Sequence, residues 1–234
     1  RNRVAIWSPP GNTTTVPAVL GMGSLTTTGF TVTARNVAAT SLFNRMRRLG
    51  FVTAATAGAV GQLRSAVAQF TLGNGTYGGF FYVIRFGFSD AALVSGARMF
   101  LGVKTSFSGT NVEPSTLVDC IGVGHGAADT NLKLYSGGSA AQPPIDLGAN
   151  FPVSTNTDYY ELSLFAPPSS AVCHYEVTRL NTGHVATGVL SGTPGTQLPA
   201  VTTLLAVPWG YRTNNAAAAV AGVDIASIYI ETDY

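Results

Sequence analysis

The sequence has few charged residues. Asp, Glu, Lys and Arg make up only 10% of its 234 residues, whereas about a quarter is usual for a globular protein. Thr, Ser, Gly, Ala and Asn take their place. Because a monomer normally keeps charge interspersed over its surface, the shortage favours an oligomer, with a hydroxyl-rich monomer as the alternative. The net charge of +2 is too small to indicate a nucleic-acid-binding protein.

Cysteines, lysines and long apolar runs are also scarce. Cys120 and Cys173 are the only cysteines, too few for a disulfide framework, and we expect both to be reduced and buried. Lys104 and Lys133 are the only lysines. The one dense basic cluster, at residues 45–48, is surrounded by apolar residues, which favours a half-buried strand or short helix over a phosphate-binding patch. No apolar stretch is long enough for a membrane span, so we predict no membrane insertion.

Motifs of nucleotide and metal sites are missing or out of context. Residues 73–78 match G-x-G-x-x-G, but a strand pattern follows where a nucleotide site needs a helix, and we interpret them as a turn. None of the histidines has the usual spacing of a metal ligand. Asp119, His125 and Asp129 would converge if residues 122–129 bend, and the alternative is a loop histidine and a turn aspartate. We therefore predict neither a metal nor a cofactor.

Short apolar runs rich in β-branched and aromatic residues lie between the 27 glycines and 12 prolines. This pattern is typical of a β-sandwich or barrel. Helical patterns are weak, with at most one turn in residues 112–118. The sequence has neither a fixed repeat nor a convincing linker, so we predict one all-β domain over residues 1–234, an antiparallel β-sandwich.

Individual strands can be predicted from their patterns. Residues 79–88 are apolar on both faces apart from Arg85, which predicts a central strand. Residues 158–165 alternate between apolar and polar positions. Residues 172–190 predict a hairpin around a Gly-containing turn. Residues 25–37 predict one or two strands.

Both ends of the chain lead to expectations. The last fifteen residues alternate, so we predict a final strand that pairs with an earlier one. Its predicted apolar face consists of Ala226, Ile228 and Ile230. Its other face consists of Ser227, Tyr229 and Glu231. Because the chain begins with Arg1 rather than Met, we expect it to be the C-terminal part of a longer protein.

A candidate sugar site follows the last proline. Trp209, Tyr211, Arg212 and Asn214 combine aromatic rings with planar polar groups beside a predicted loop. Aromatic faces stack on sugar C–H groups, and Arg and Asn hydrogen-bond hydroxyl groups. The alternative is that Trp209 is a core residue. Tyr77 is a weaker candidate of the same kind.

A candidate catalytic pair consists of Glu161 and Glu176. Glycoside hydrolysis needs two carboxylates on either side of the scissile bond, and these two residues are predicted on one face of neighbouring strands. The alternative is an ordinary solvated face, and we predict no enzymatic activity.

Several segments of the sequence resemble a known protein family. They include SLFNRMRRLGFVTAATAGAVGQLR (41–64), NVEPSTLVDCIGVGHGAADTNLKLYS (111–136), YEVTRLNTGHVATGVL (175–190) and SIYIETDY (227–234). In these segments the chain resembles the C-terminal receptor-binding region of bacteriophage tail-fibre proteins.

The resemblance implies a homotrimeric, lectin-like or jelly-roll-like β-sandwich head rather than a parallel β-helix. It implies a virion protein, made in the reducing cytoplasm of the host bacterium, which fits the few cysteines. The expected partners are the rest of the phage tail and a bacterial surface polysaccharide or lipopolysaccharide, bound without cleavage. Residues 1 to about 24 would form an extended segment leading from a missing fibre shaft. The alternatives are a tailspike-type depolymerase and a purely structural trimerisation or decoration module.

Overall fold

A computed structural model of the chain describes residues 3–18, 21, 24–76, 78–105, 111–153, 156–168 and 170–232. Helical structure in these residues is limited to a four-residue helix, α1 (Leu42–Arg45), and a 3₁₀ turn (Pro114–Thr116). Both lie where the sequence allowed at most a short helix or one turn. Among the described residues no helix is long and apolar enough to span a membrane.

Fifteen strands account for the regular structure of the described residues. In chain order they are β1 (Arg3–Trp7), β2 (Leu25–Thr28), β3 (Phe30–Ala34), β4 (Leu49–Thr53), β5 (Val60–Ser65), β6 (Phe80–Phe88), β7 (Arg98–Lys104), β8 (Cys120–His125), β9 (Lys133–Gly137), β10 (Ile145–Asp146), β11 (Tyr160–Ala166), β12 (Cys173–Arg179), β13 (His184–Leu190), β14 (Ala206–Thr213) and β15 (Gly222–Thr232).

The strands form two sheets. Sheet A has the order β13-β12-β11-β6-β15-β4-β3, with β1 also paired to β15, and sheet B has the order β10-β9-β8-β7-β14-β5-β2. All pairings between these strands are antiparallel. The predicted antiparallel β-sandwich is therefore confirmed.

The core lies between the two sheets. Every second residue of a strand points to the same face, and the inward positions carry large apolar side chains. Those of β6 are Tyr82, Ile84 and Phe86, and those of β7 are Met99, Leu101 and Val103. As predicted, β6 is a central strand, since β11 and β15 pair with its two sides. Residues 73–76 and 78 precede this strand, and Tyr77 lies outside the described residues.

The final strand is paired along most of its length. One side of β15 pairs with β6, while the other pairs with β4 near residues 222–225 and with β1 at residues 228–232. The predicted pairing of this strand is confirmed. The segment before residue 24 includes β1, so this part of it belongs to sheet A.

One of the predicted faces of β15 is corrected by the structure. Ile228 and Ile230 lie in the core as predicted. Ala226 packs instead with Phe43 and Tyr159 in a separate small cluster. The reason is a shift in the register between β15 and β6 directly around Ala226, which interrupts the alternation.

Gly29 lies where the chain passes from one sheet to the other. It separates β2 in sheet B from β3 in sheet A and has a φ of +70°. A Cβ atom at this position would lie 2.1 Å from the carbonyl oxygen of Val60. Only glycine meets both conditions, and residues 25–37 accordingly form two strands.

Both cysteines are buried and free, as predicted. Cys120 belongs to the outer cluster of sheet B, and Cys173 belongs to the core between the sheets. Burial raises the pKa of each thiol to about 12.

Candidate functional site

The four residues predicted to contact sugar lie in β14 or directly after it, and all are buried. Trp209 and Tyr211 are each 1% exposed, and Arg212 and Asn214 are 0% exposed. Alternation along the strand places Arg212 on the opposite face of sheet B from the two aromatic residues. The four side chains therefore do not form a common surface, and the structure corrects the expectation that they bind sugar together.

Trp209 and Tyr211 pack on the outer face of sheet B. The ring of Trp209 lies 5.8 Å from that of Phe100, and Leu117, in the segment before β8, belongs to the same cluster. The Tyr211 hydroxyl donates to the carbonyl oxygen of Val112 at 2.8 Å, and burial raises its pKa. The segment that follows residue 110 therefore covers the aromatic faces that a sugar would need.

Arg212 lies inside the sandwich in a polar cluster. Its guanidinium donates to the Asp90 carboxylate and to Nε2 of His125, and lies 5.1 Å from the centre of the Phe88 ring. Nδ1 of His125 lies 3.1 Å from the carbonyl oxygen of Gly126. An imidazole that accepts at Nε2 and donates at Nδ1 is neutral. Burial, and then the charge of Arg212, lowers the pKa of His125 to about 3.

Asn214 holds two loops together. Its amide nitrogen lies 3.0, 2.9 and 2.7 Å from the carbonyl oxygens of Ala54, Thr56 and Ala219. These carbonyls come from the loop after β4 and from the loop before β15. Asn214 thus has a structural role, as does Arg212.

The outer face of sheet A carries a row of outward-facing rings that we call the aromatic row: the half-buried Tyr229 and the exposed Phe81, Phe165 and His174. Phe165 is directly opposite Phe81 in one strand pair and opposite His174 in the next. The rings of Phe81 and Tyr229 are 6.1 Å apart, and those of Phe165 and His174 are 6.0 Å apart. Phe81 is 38% exposed and Phe165 is 45% exposed.

The aromatic row results from alternation in four adjacent strands. β15, β6, β11 and β12 each place one ring outward, while their inward neighbours, such as Tyr82 and Leu164, fill the core. Adjacent strands lie about 4.8 Å apart, so the row spans roughly 14 Å across the sheet. Two large aromatic side chains left exposed side by side indicate a binding surface.

Two adjoining cavities lie along the aromatic row, and together we call them the aromatic groove. The first, of about 570 Å³, is lined by Pro168 and Glu231 among others. The second, of about 510 Å³, is lined by His174, Glu176 and Thr187 among others. Phe81 and Phe165 line both cavities. The groove therefore combines apolar rings with hydroxyl and carboxylate groups, the mixture typical of small-molecule and sugar sites.

The two candidate catalytic carboxylates lie on this face, as predicted. Glu161 is opposite Thr178, and Glu176 is opposite Ser163, so the two acids are diagonal neighbours on β11 and β12. Nε of Arg85 lies 2.5 Å from Oε2 of Glu161, and this hydrogen bond is the main cause that raises the pKa of Arg85. Glu161 is thus engaged by a cation, whereas Glu176 is exposed on the wall of the second cavity.

The histidine and aspartates considered as metal ligands do not converge. His125 contacts Arg212 in the interior, while Asp129 accepts hydrogen bonds from Lys133 at 2.6 Å and from the backbone N–H of Gly126 at 2.7 Å. Within the part of the chain that the structure describes, no group of three or more His, Cys, Asp or Glu residues could hold a metal ion.

Sequence reasoning did not identify the aromatic row, although part of the signal was present. The alternation in residues 158–165 and 172–179 assigned Phe165 and His174 to outward positions. The order of the strands was unknown, so nothing showed that Phe81 and Tyr229 would lie beside them. Nonlocal pairing brings the four rings together, and periodicity carries no information about it.

Comparison with known proteins gives the fold. No family model and no curated protein sequence matches the chain. Among solved structures, peanut lectin has a TM-score of 0.63 and 11% identity, covering 100% of this chain and 98% of the lectin. Winged bean acidic lectin, in complex with methyl-α-D-galactose, has a TM-score of 0.60 and 9% identity, covering 100% and 99%.

A bacterial structure is similar to the same extent. A protein of unknown function from Shewanella oneidensis MR-1 has a TM-score of 0.60 and 14% identity, covering 99% of this chain and 86% of that one. At these identities the likeness concerns architecture. The chain has a lectin-like antiparallel β-sandwich fold.

Proposed function

We propose that this domain binds carbohydrate along the aromatic groove of sheet A, without cleaving it. The observation that carries the proposal is the aromatic row, in which Phe81 and Phe165 lie exposed between two cavities. Aromatic rings usually lie in a core, because removing apolar surface from water is favourable. A pair of rings left exposed on a sheet therefore offers a preformed surface for a ligand. Sugar C–H groups stack on aromatic faces.

Polar groups beside the rings supply partners for sugar hydroxyls. Ser163, Glu176 and Thr187 line the second cavity together with His174. Hydroxyl groups both donate and accept, and carboxylates accept. All of these residues lie on strands, so their backbone is already ordered before a ligand binds. The lectins named above support the proposal only by analogy of fold, because function resides in sites and not in architectures.

In its more specific form, the proposal is host attachment by a phage tail fibre. The ligand would then be a bacterial surface polysaccharide or lipopolysaccharide, and the domain would form a homotrimer at the tip of the fibre. The segments that resemble tail-fibre proteins and the low content of charge support this form. Three weak sites in one trimer gain avidity on a surface that repeats its epitope.

The experiment is binding of the purified domain to surface polysaccharides from a panel of bacteria, with polymer length measured in the same samples. Saturable binding with unchanged length would support the proposal. Shortened polymers would instead favour the depolymerase alternative, for which the common face of Glu161 and Glu176 is the supporting observation. The engagement of Glu161 by Arg85 speaks against it.

The mass of the particle in solution tests the oligomeric state separately. Light scattering of the domain should give three times the 24.2 kDa of one chain. A trimer that binds none of the polysaccharides would favour the purely structural alternative. A monomer that binds them would retain carbohydrate binding and remove the trimer from the proposal.

A further inference from the structure

A further cavity, which we call the Arg35 cavity, lies at the β3 edge of sheet A. It has a volume of about 350 Å³ and is lined by Thr33 of β3, Arg35 directly after β3, Val52 of β4 and Ser89 directly after β6, among others. Its volume lies within the range of small-molecule sites. Among the described residues, it has no lining residue in common with the aromatic groove.

The guanidinium of Arg35 rests on the sheet where a side chain is missing. Gly50 is opposite Thr33 in the register of β3 and β4, and a Cβ atom at position 50 would lie 2.6 Å from Nε and 2.8 Å from Nη2 of Arg35. Nε faces the carboxylate of Asp224, whose two oxygens lie 3.1 and 3.0 Å away. The Arg35 side chain is 24% exposed, so it is held in place and still accessible.

Asp224 is shared between two arginines. Nε of Arg48 lies 3.0 Å from Oδ2 of Asp224, and its terminal nitrogens donate to Asn44 and to backbone carbonyl oxygens. Two guanidinium groups thus face one carboxylate, which leaves one positive charge in excess. Among the described residues, Nη1 and Nη2 of Arg35 have no hydrogen-bond partner. The unused donors therefore belong to the arginine that lines the cavity.

The one carboxylate in the lining of the Arg35 cavity does not cancel this charge. Asp90 is paired with Arg212, and its other oxygen accepts the backbone N–H of Gly222 at 2.9 Å. Because Asp90 and Arg212 neutralise each other, the excess positive charge at Arg35 remains.

We infer that the Arg35 cavity binds a small acidic ligand, such as a sugar acid or a sugar phosphate, whose acidic group is bound by Arg35. A guanidinium donates two parallel hydrogen bonds to a carboxylate or a phosphate. The hydroxyl groups of Thr33 and Ser89 in the lining donate to and accept from ligand hydroxyls. This second site goes beyond the proposed function and does not depend on binding in the aromatic groove.

The experiment is an NMR titration of the domain with glucuronate, glucose 6-phosphate and glucose, followed at the backbone amides of Ala91 and Ala92, which line the cavity. We expect saturable shifts with at least one acidic sugar, weaker binding in high salt, and glucose binding at least about tenfold more weakly. Comparison of the two acidic sugars shows which acidic group is preferred. Equal binding of glucose at these amides, or no saturation with either acidic sugar, would overturn the inference and leave polysaccharide binding in the aromatic groove intact.

Two variants test the role of Arg35 in different ways. Arg35→Gln removes the charge, whereas Gly50→Ala keeps the charge and displaces the guanidinium. Each should weaken binding of the acidic sugar at least about tenfold. The fold should tolerate Gly50→Ala, because the nearest atoms to the added Cβ belong to the end of the flexible Arg35 side chain. Thermal unfolding checks this, and Gly50→Ala decides alone if Arg35→Gln does not fold.

Arg45→Gln is the matched control, because Arg45 is exposed in α1 and does not line the cavity. It should leave binding of the acidic sugar unchanged. If Arg45→Gln weakened binding as much as Arg35→Gln, or if Gly50→Ala bound as tightly as the wild type, net charge and not the Arg35 cavity would be responsible. Either result would overturn the inference.

Discussion

Arg212 and Asp90 form an ion pair in the interior of the protein. Arg212 is 0% exposed and Asp90 is 8% exposed, although 122 positions separate them in the sequence. The other carboxylate oxygen of Asp90 accepts the backbone N–H of Gly222 at 2.9 Å. The pair therefore joins the segment directly after β6, the strand β14 and the beginning of β15, and connects sheet A to sheet B.

The ion pair predicts a structural role for Arg212. Arg212→Met should destabilise the domain by about 3–5 kcal/mol, because it leaves the Asp90 carboxylate buried without its cation. Arg212→Met combined with Asp90→Asn should cost less than the sum of the single changes, since the two groups interact. Urea unfolding followed by far-UV circular dichroism measures both.

Arg45→Met is the control for this prediction, because Arg45 is exposed in α1 and its replacement should change stability by about 0.5 kcal/mol or less. A variant Arg212→Met that kept its stability but lost polysaccharide binding would contradict the structural role. It would favour the sugar contact that the sequence suggested.

The fold could be predicted from the sequence because its signals are local. Alternation predicts β11, β12 and most of β15, and a run that is apolar apart from Arg85 predicts β6 as a central strand. β5 (Val60–Ser65) has no such signal, since Gly61, Gln62 and Ser65 are buried in it with little apolar alternation. The strand is held by its pairing with β14 and β2, which no local pattern reveals.

The candidate site could not be predicted from the sequence because, like β5, it depends on nonlocal packing. The sequence left Trp209 open between a sugar contact and a core position, because its exposure depends on a distant segment that includes Leu117. Phe81 and Phe165 are exposed because, among the described residues, no segment covers them to the same extent. Coverage of a sheet face is a tertiary property, and strand periodicity only tells which residues share that face.

The buried His125 predicts a loss of stability in acid. Its pKa is lowered to about 3 by burial and by Arg212, whereas in the unfolded chain a histidine has a pKa of about 6.5. Between these values the unfolded state binds one more proton than the folded state. The free energy of unfolding should therefore fall as the pH decreases from about 6.5, by at most about 1.4 kcal/mol per pH unit.

Comparison with His125→Gln isolates this contribution. Asp224, whose pKa is raised by burial, contributes with the opposite sign, but it is present in both proteins and cancels in the difference. Urea unfolding between pH 7 and pH 4.5 should show a shallower pH dependence for the variant, with His184→Gln as the control at an exposed position. Parallel curves for wild type and variant would contradict the prediction. If the variant does not fold, NMR titration of the wild-type imidazole gives the same answer, since His125 should remain neutral down to pH 4.5.

The two free thiols predict slow chemical modification. Cys120 and Cys173 are buried, and burial raises the pKa of each to about 12. The reactive species is the thiolate, so neither should react with Ellman's reagent in the folded protein, and both should react in urea. A variant Ser139→Cys, at an exposed position, should react at once and shows that the reagent is active. Fast reaction of two thiols in the native wild type would contradict their burial.

The aromatic row predicts which side chains carry polysaccharide binding. Phe81→Ala and Phe165→Ala should each weaken binding about threefold to tenfold, since each removes one stacking surface worth roughly 0.5–1.5 kcal/mol. Both rings are more than one third exposed, so the variants should lose only about 1 kcal/mol of stability. Titration with the polysaccharide that binds best, together with thermal unfolding of the same samples, separates the two effects.

Leu204→Ala is the matched control for these variants, because Leu204 is 53% exposed and does not line the aromatic groove. It should leave binding unchanged. The double variant Phe81→Ala, Phe165→Ala should lose more than either single variant, since a ligand that spans both cavities contacts both rings. If neither replacement affects binding while the domain still binds polysaccharide, the ligand lies on another surface. The aromatic row would then be a candidate contact between subunits of the expected trimer. In that case replacement of its rings should change the particle mass measured by light scattering.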